Sequence, residues 1–190
     1  MQLRFDFRPV TSTGERSHLE ELQGPVLGKN PAPPALPLQG LRTTSMSILA
    51  YLEGRKRPVG AVTVVDTTKD ALSRLIYGIP PIYGSTAFYG GMMVLPEYRG
   101  WGIPVRLIFQ TQRLFVNKLG IRSTWLLYPE ERIGGARLTT ILKYRPLPET
   151  FNEAGCANRV LIREEPREQR LKWDLLPLSN GVSARRATCN

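Results

Sequence analysis

Met92-Met93-Val94-Leu95-Pro96-Glu97-Tyr98-Arg99-Gly100-Trp101-Gly102-Ile103-Pro104 is the stretch of sequence on which the fold turns. Its first four residues are apolar and suit a strand. Pro96 ends the strand, because a proline has no amide to give a ladder. Gly100 and Gly102 permit a turn with a close backbone approach. From Pro104 to Leu119, the residues Val105, Ile108, Phe109, Gln112, Phe115, Val116 and Leu119 recur every three or four positions, which predicts a long amphipathic helix. Proline suits its first turn and Gly120 its end. A strand, a glycine turn and a helix in that order make an anion site: free amides and the positive end of the helix dipole point outward at the turn. Arg99 can add a charge-assisted bond there.

Outward from this stretch, alternation or β-branched composition predicts strands at Leu3–Val10, Ser47–Glu53, Val59–Asp66, Ala87–Leu95, Arg122–Tyr128 and Arg159–Arg163. Gly54 to Pro58 joins the second and third as a hairpin with a basic turn, Arg55-Lys56-Arg57. Gly90-Gly91 inside a strand predicts a bulge or a close backbone approach. A short helix is expected over Thr13–Leu22, with Ser17 and Glu20 as its capping pair. A weaker helix, containing Gly134-Gly135, is expected over Glu130–Leu142. Pro25–Gly40, with five prolines, and Tyr77–Ser85 read as loops, and Asp66–Leu75 as a polar stretch with one helical turn. Residues 1–165 read as a single domain. Residues 166–190 read as a C-terminal extension, mobile from about Leu178. The fold class that follows is α/β, of the α+β kind, with a mixed, mostly antiparallel central sheet flanked by helices.

Composition bounds the chemistry. The chain has 190 residues, 42% of them hydrophobic, and a formal net charge of +10. That charge calls for an anionic partner: nucleic acid, an acidic carrier protein or a phosphate-rich cofactor. The basic residues are dispersed and no helix is basic along one face, which counts against nucleic acid. A single histidine, His18, rules out metal sites built on two histidines within the chain. The only cysteines, Cys156 and Cys189, lie too far apart in sequence for a short-spaced zinc pair. No metal is expected, and neither a Ser-His nor a Cys-His arrangement is apparent. The segment Gly24 to Lys29 is one residue short of a P-loop, and Asn30 stands where Ser or Thr is needed. The first residues lack the apolar core of a signal peptide, and no run approaches the ~18 apolar residues of a membrane span, so the expected compartment is the cytoplasm.

The stretch Val94 to Pro104 resembles the signature of the GNAT superfamily of acyl-CoA-dependent N-acyltransferases, Arg/Gln-x-x-Gly-x-Gly/Ala after a strand ending Val-x-Pro. The resemblance extends in element order from Ser47 to Arg163. It implies a GNAT-like sheet and an acyl-CoA co-substrate. The pyrophosphate would lie on Arg99, Gly100, Trp101, Gly102, Ile103 and Pro104, and the pantetheine arm along Met93, Val94 and Leu95. An amide near Met92 would polarise the thioester carbonyl. Two departures stand out. Pro104 replaces the final Gly/Ala and has no amide to offer. Thr139 or Thr140 stands where many members place the tyrosine that protonates the leaving thiolate, and Tyr144 matches the aromatic of a closing Gly-Phe. Tyr89 is then a candidate acid or base.

The segment from Leu126 to Pro146 also looks loosely like N-acyl amino acid and acyl-homoserine lactone synthases, which can draw on acyl carrier protein. The expected function is acyl transfer to a small-molecule amine. A carrier-dependent synthase, a non-catalytic acyl-CoA-binding protein and a nucleic-acid-binding module remain as alternatives.

Overall fold

The computed structural model describes residues 4–27, 44–70, 77–80, 83–130, 141–153 and 156–165. Seven strands form one sheet: β1 (Phe5–Pro9), β2 (Ser45–Leu52), β3 (Pro58–Asp66), β4 (Thr86–Val94), β5 (Ser123–Pro129), β6 (Arg145–Glu153) and β7 (Cys156–Glu164). They lie in the order β1-β2-β3-β4-β5-β7-β6. Every neighbouring pair is antiparallel except β4 and β5, which are parallel. The crossover between those two carries α2 (Ile103–Thr111), which continues through a π-helical turn (Gln112–Val116) into a last helical turn (Asn117–Leu119). Gly120, at φ 67°, closes it. The mixed, mostly antiparallel sheet is the architecture expected from the sequence.

Alternation along the strands divides the core between the two faces. Ile48, Ala50, Val62, Val64, Ala87 and Tyr89 share one buried cluster with Ile103, Leu107 and Ile108 of α2. Leu49, Tyr51, Ala61 and Met93 point the other way and pack with Leu19 and Leu22 of α1 (Thr13–Leu27). Farther across that second face lie Trp125, Val160, Ile162, Leu147, Ile79 and Tyr83, with Phe88 and Leu127 against them. The first turn of α2 sits close on the sheet: a Cβ on Gly60 would stand 3.1 Å from Ile103 Cγ2 and from the Met93 carbonyl.

Four expectations need correcting or completing. α1 runs to Leu27, through Pro25, rather than giving way to a loop there. A proline near a helix end removes one intrahelical bond and can bend the helix without ending it. The cap of α1 is Ser12 with Glu15, not Ser17 with Glu20. The Ser12 Oγ accepts the Glu15 amide at 3.2 Å, and the Glu15 carboxylate accepts the amides of Ser12 at 3.0 Å and Thr11 at 2.7 Å. These bonds favour the ionised form and hold the Glu15 pKa down at about 2. The sequence predicts no strand at β6, because Pro146 and Pro148 break its strand signature. β6 is the sheet's edge, where a missing amide costs least, and its register shifts between Pro146 and Thr150. β7 begins three residues earlier than expected, at Cys156. The helix expected over Glu130–Leu142 falls on residues 131–140, outside the described residues. The same holds for most of the loop expected up to Gly40, for residues 71–76 and for the C-terminal extension.

Candidate functional site

β4 and β5 pair only from Thr86 with Ser123 to Phe88 with Trp125. Beyond that point β4 continues to Val94 on β3, and β5 continues to Pro129 on β7. Among the described residues, then, no strand pairs with β4 from Tyr89 to Val94 on its β5 side. The strands part in the middle of the sheet and leave a free edge of about 17 Å at the usual strand rise.

The free edge carries the irregularity that Gly90-Gly91 suggested. Ala61 pairs with Met93 and Thr63 with Gly90, so β4 holds one more residue than β3 between those pairs. Gly91 adopts φ 58°, a conformation that favours glycine. The bulge resets the alternation, so that Met92 and Val94 stay on the α2 face while Met93 turns to α1.

At the end of β4 the chain turns through a short 3-10 segment, Pro96–Tyr98, and reaches Arg99. Gly100 at φ 85° and Gly102 at φ 73° set the next bends, and Gly102 is the N-cap of α2. The corner is open to solvent. Arg99, Gly100 and Trp101 are exposed, Trp101 at 38%, and a Cβ on either glycine would meet nothing within 4 Å. No side chain caps α2. The first amide of the helix with a hydrogen-bond partner is that of Arg106, bonded to the Gly102 carbonyl at 3.2 Å. The amides of Gly100, Trp101, Gly102, Ile103 and Val105 have no partner among the described residues, and Pro104 has no amide. These are the groups a helix N-terminus offers to an anion. The corner fits a phosphate-bearing ligand on three counts: unbonded donors, room above both glycines, and Arg99 exposed beside them.

The other candidate residues fall as follows. Met92, Met93, Val94 and Leu95 are on or just beyond the free edge, with Met93 and Val94 buried. Leu95 is tied to β3 through its amide, which donates to the Val59 carbonyl at 2.9 Å. Tyr89, expected as an acid or base, is a core residue, 3% exposed. Its hydroxyl is 3.1 Å from Thr111 Oγ1 of α2. Burial, with Tyr144 nearby, pushes its pKa well above the ordinary phenol value. Thr139 and Thr140 lie outside the described residues. Tyr144 is buried and its hydroxyl is 2.7 Å from Thr124 Oγ1.

One cluster had no single sequence signal. Glu165, just past β7, accepts from Gln112 Nε2 at 2.7 Å, Thr124 Oγ1 at 3.0 Å and Arg163 at 3.0 Å. Burial raises its pKa, and the bonds and the Arg163 charge partly offset that. Gln112 reaches it from the first residue of the π-helical turn. The turn follows Thr111, whose hydroxyl lies 2.8 Å from the Ile108 carbonyl and so competes with the helical ladder. The cluster joins α2, β5 and β7 beneath the helix.

No protein-family model and no curated protein matches the sequence. Solved structures do. FeeM, an N-acyl amino acid synthase from uncultured soil microbes, matches at a TM-score of 0.65 with 10% identity, covering 92% of this chain and 99% of that one. Arabidopsis thaliana NAA60 in complex with acetyl-CoA matches at 0.57 with 16% identity, over 85% of this chain and 98% of that one. Escherichia coli ElaA matches at 0.59 with 15% identity, over 85% and 100%. At these identities the likeness is one of fold. The chain has the GNAT fold.

Proposed function

We propose that this protein transfers an acyl group from an acyl-CoA to a small-molecule amine. One observation carries the reading: unpartnered amides at the N-terminus of α2, those of Gly100 and Trp101 in exposed residues, lie at the end of the same strand whose edge β5 leaves free. A ligand with a diphosphate at one end and an amide-bearing arm at the other matches both halves. In this reading Arg99, Gly100, Trp101, Gly102 and Ile103 hold the diphosphate, and the amide of Val105 stands in for the one Pro104 lacks. Met93, Val94 and Leu95 accompany the arm. The chain near Met92, turned by the bulge, directs an amide toward the thioester carbonyl, where a donor stabilises developing negative charge. The reaction forms an amide bond, breaks the thioester and returns CoA as its thiol. The amine gives up a proton and the departing thiolate takes one, and no covalent intermediate on the protein is needed.

Carrier-protein delivery of the acyl group is the second reading, and a specific observation favours it. Arg99, Arg106, Arg113, Lys118 and Arg122 follow the corner, the helix and its exit, and none has an ion-pair partner among the described residues. Unpaired cations running from the site along the helix suit an acidic protein bearing a phosphopantetheine. An amino acid as acceptor, as in the name of FeeM, belongs to this reading. Residues 1–165 form the catalytic domain in both, and residues 166–190 an extension to it. Among the described residues no helix is long and apolar enough to cross a membrane.

The test is release of free thiol from acetyl-CoA and longer acyl-CoAs with a panel of amines and amino acids, alongside native mass spectrometry for bound CoA. The Gly102→Glu variant, which sets a carboxylate at the corner, loses both signals. Retention of CoA by that variant overturns the site. Turnover only with an acyl carrier protein moves the assignment to the second reading.

A further inference from the structure

We propose that Phe88 limits the length of the acyl chain this protein accepts. The inference rests on the acyl-CoA reading and goes beyond it to the residue that sets the substrate class.

The anion corner and the free edge impose a direction. A donor anchored at Gly100–Ile103 lays its arm along β4 from Val94 back toward Tyr89, so its acyl end arrives where the two strands rejoin. The last pair at that vertex is Phe88 with Trp125. Their side chains lie on the face opposite α2, within the apolar cluster that includes Ile79, Tyr83 and Leu147.

The Phe88 ring does not stand upright from the strand. It lies over Gly90, its Cε1, Cδ1 and Cζ atoms at 2.7, 3.2 and 3.6 Å from where a Gly90 Cβ would be. The ring is therefore laid along the strand toward the opening, and the absence of a side chain at Gly90 is what makes room for it. Behind the ring stands Trp125, with centroids 4.4 Å apart and planes at 45°. Trp125 is fully buried, and its Nε1 donates to Thr67 Oγ1 at 3.1 Å, so it offers no retreat. Tyr77 packs on the same indole at 5.2 Å. Phe88 itself is only half-buried. An acyl chain that reaches the vertex meets a braced aromatic ring, while a short acyl group stops before it. Shortening the ring joins the vertex to the apolar cluster behind.

Equilibrium binding by titration calorimetry of the full chain tests this without knowledge of the acceptor. The probes are acetyl-, butyryl-, hexanoyl- and octanoyl-CoA, and the proteins are wild type, Phe88→Ala and Phe88→Leu. Wild-type affinity is expected to stop rising after butyryl-CoA. In Phe88→Ala it continues to rise, each buried methylene adding about fourfold, so that hexanoyl-CoA gains about fifteenfold over butyryl-CoA. Phe88→Leu lies between and decides the matter if the alanine variant does not fold. A folded variant whose chain-length profile follows wild type overturns the inference while leaving acyl-CoA binding intact. Wild-type affinity that climbs steadily to octanoyl-CoA overturns it as well. Binding of no CoA species by any folded protein overturns the acyl-CoA reading, and this inference falls with it.

Discussion

Gly102 and Gly120 stand at the two ends of one helical run, about 25 Å apart at 1.5 Å per residue, and both adopt the left-handed conformation, at φ 73° and 67°. Replacing either by alanine forces a Cβ into a region that costs an L-residue roughly 1–2 kcal/mol. For a chain of this size that is a fall of about 2–8 °C in Tm. Strain alone therefore predicts a comparable stability loss in Gly102→Ala and Gly120→Ala. The site reading predicts that they differ in binding. At Gly102 the new Cβ enters open space above amides that have no internal partner. Hydrogen bonds to a charged group contribute about 1.5–3 kcal/mol each, so displacing a phosphate from one or two of them weakens CoA binding by at least about tenfold. Gly120 is remote, and its variant should bind CoA as wild type does. Thermal unfolding measures the first quantity and calorimetric titration with CoA at fixed salt the second. Equal CoA affinity in wild type, Gly102→Ala and Gly120→Ala refutes the assignment of the corner, whatever the Tm values.

Three further outcomes are expected. The Glu15 pKa is lowered on folding from 4.5 to about 2, so the stability it contributes is present above pH 4.5 and is lost as pH falls toward 2; Glu15→Gln should lower Tm above pH 4.5 and flatten the fall below it, so that the two Tm–pH curves converge toward pH 2. Glu165→Ala strands the buried Arg163 guanidinium and should cost about 3–5 kcal/mol in denaturant unfolding, whereas the double variant Arg163→Met, Glu165→Leu recovers much of it; a loss under 1 kcal/mol would mean the pair is solvated. Tyr89→Phe removes a hydroxyl that meets Thr111 in the core and should cost about 0.5–1.5 kcal/mol with turnover within a few-fold of wild type; a hundredfold fall in kcat at full folding would give Tyr89 the role of acid or base.

Local sequence was enough for the corner. Pro96 must end a ladder, Gly100 and Gly102 supply the two left-handed bends, and the spacing from Val105 to Leu119 can only be a helix with one buried face. These preferences act over a few residues, and the structure has the bends and the helix start where they were expected, although the buried face takes in Leu107 and Thr111 and leaves Leu119 45% exposed. The same holds for the bulge at Gly91. Ser12 and Glu15 have the spacing of a capping pair just as Ser17 and Glu20 do, and only the structure separates the two.

Other features were decided by contacts between residues far apart in the chain. The parting of β4 from β5 depends on how many pairs residues 86–94 and 123–129 make, and no composition of either strand states that number. β6 is a strand because β7 lies beside it, despite Pro146 and Pro148. Glu165 gathers Gln112, Thr124 and Arg163 from three elements, and Phe88 lies down over Gly90 because Trp125 is behind it. The sequence alone determined a glycine turn opening a helix on a mixed α/β scaffold, because backbone dihedrals and helical periodicity are local properties. Tertiary structure alone decided that the turn opens onto a gap in the sheet with an aromatic ring at its vertex, because strand register and core packing are settled only when distant segments meet.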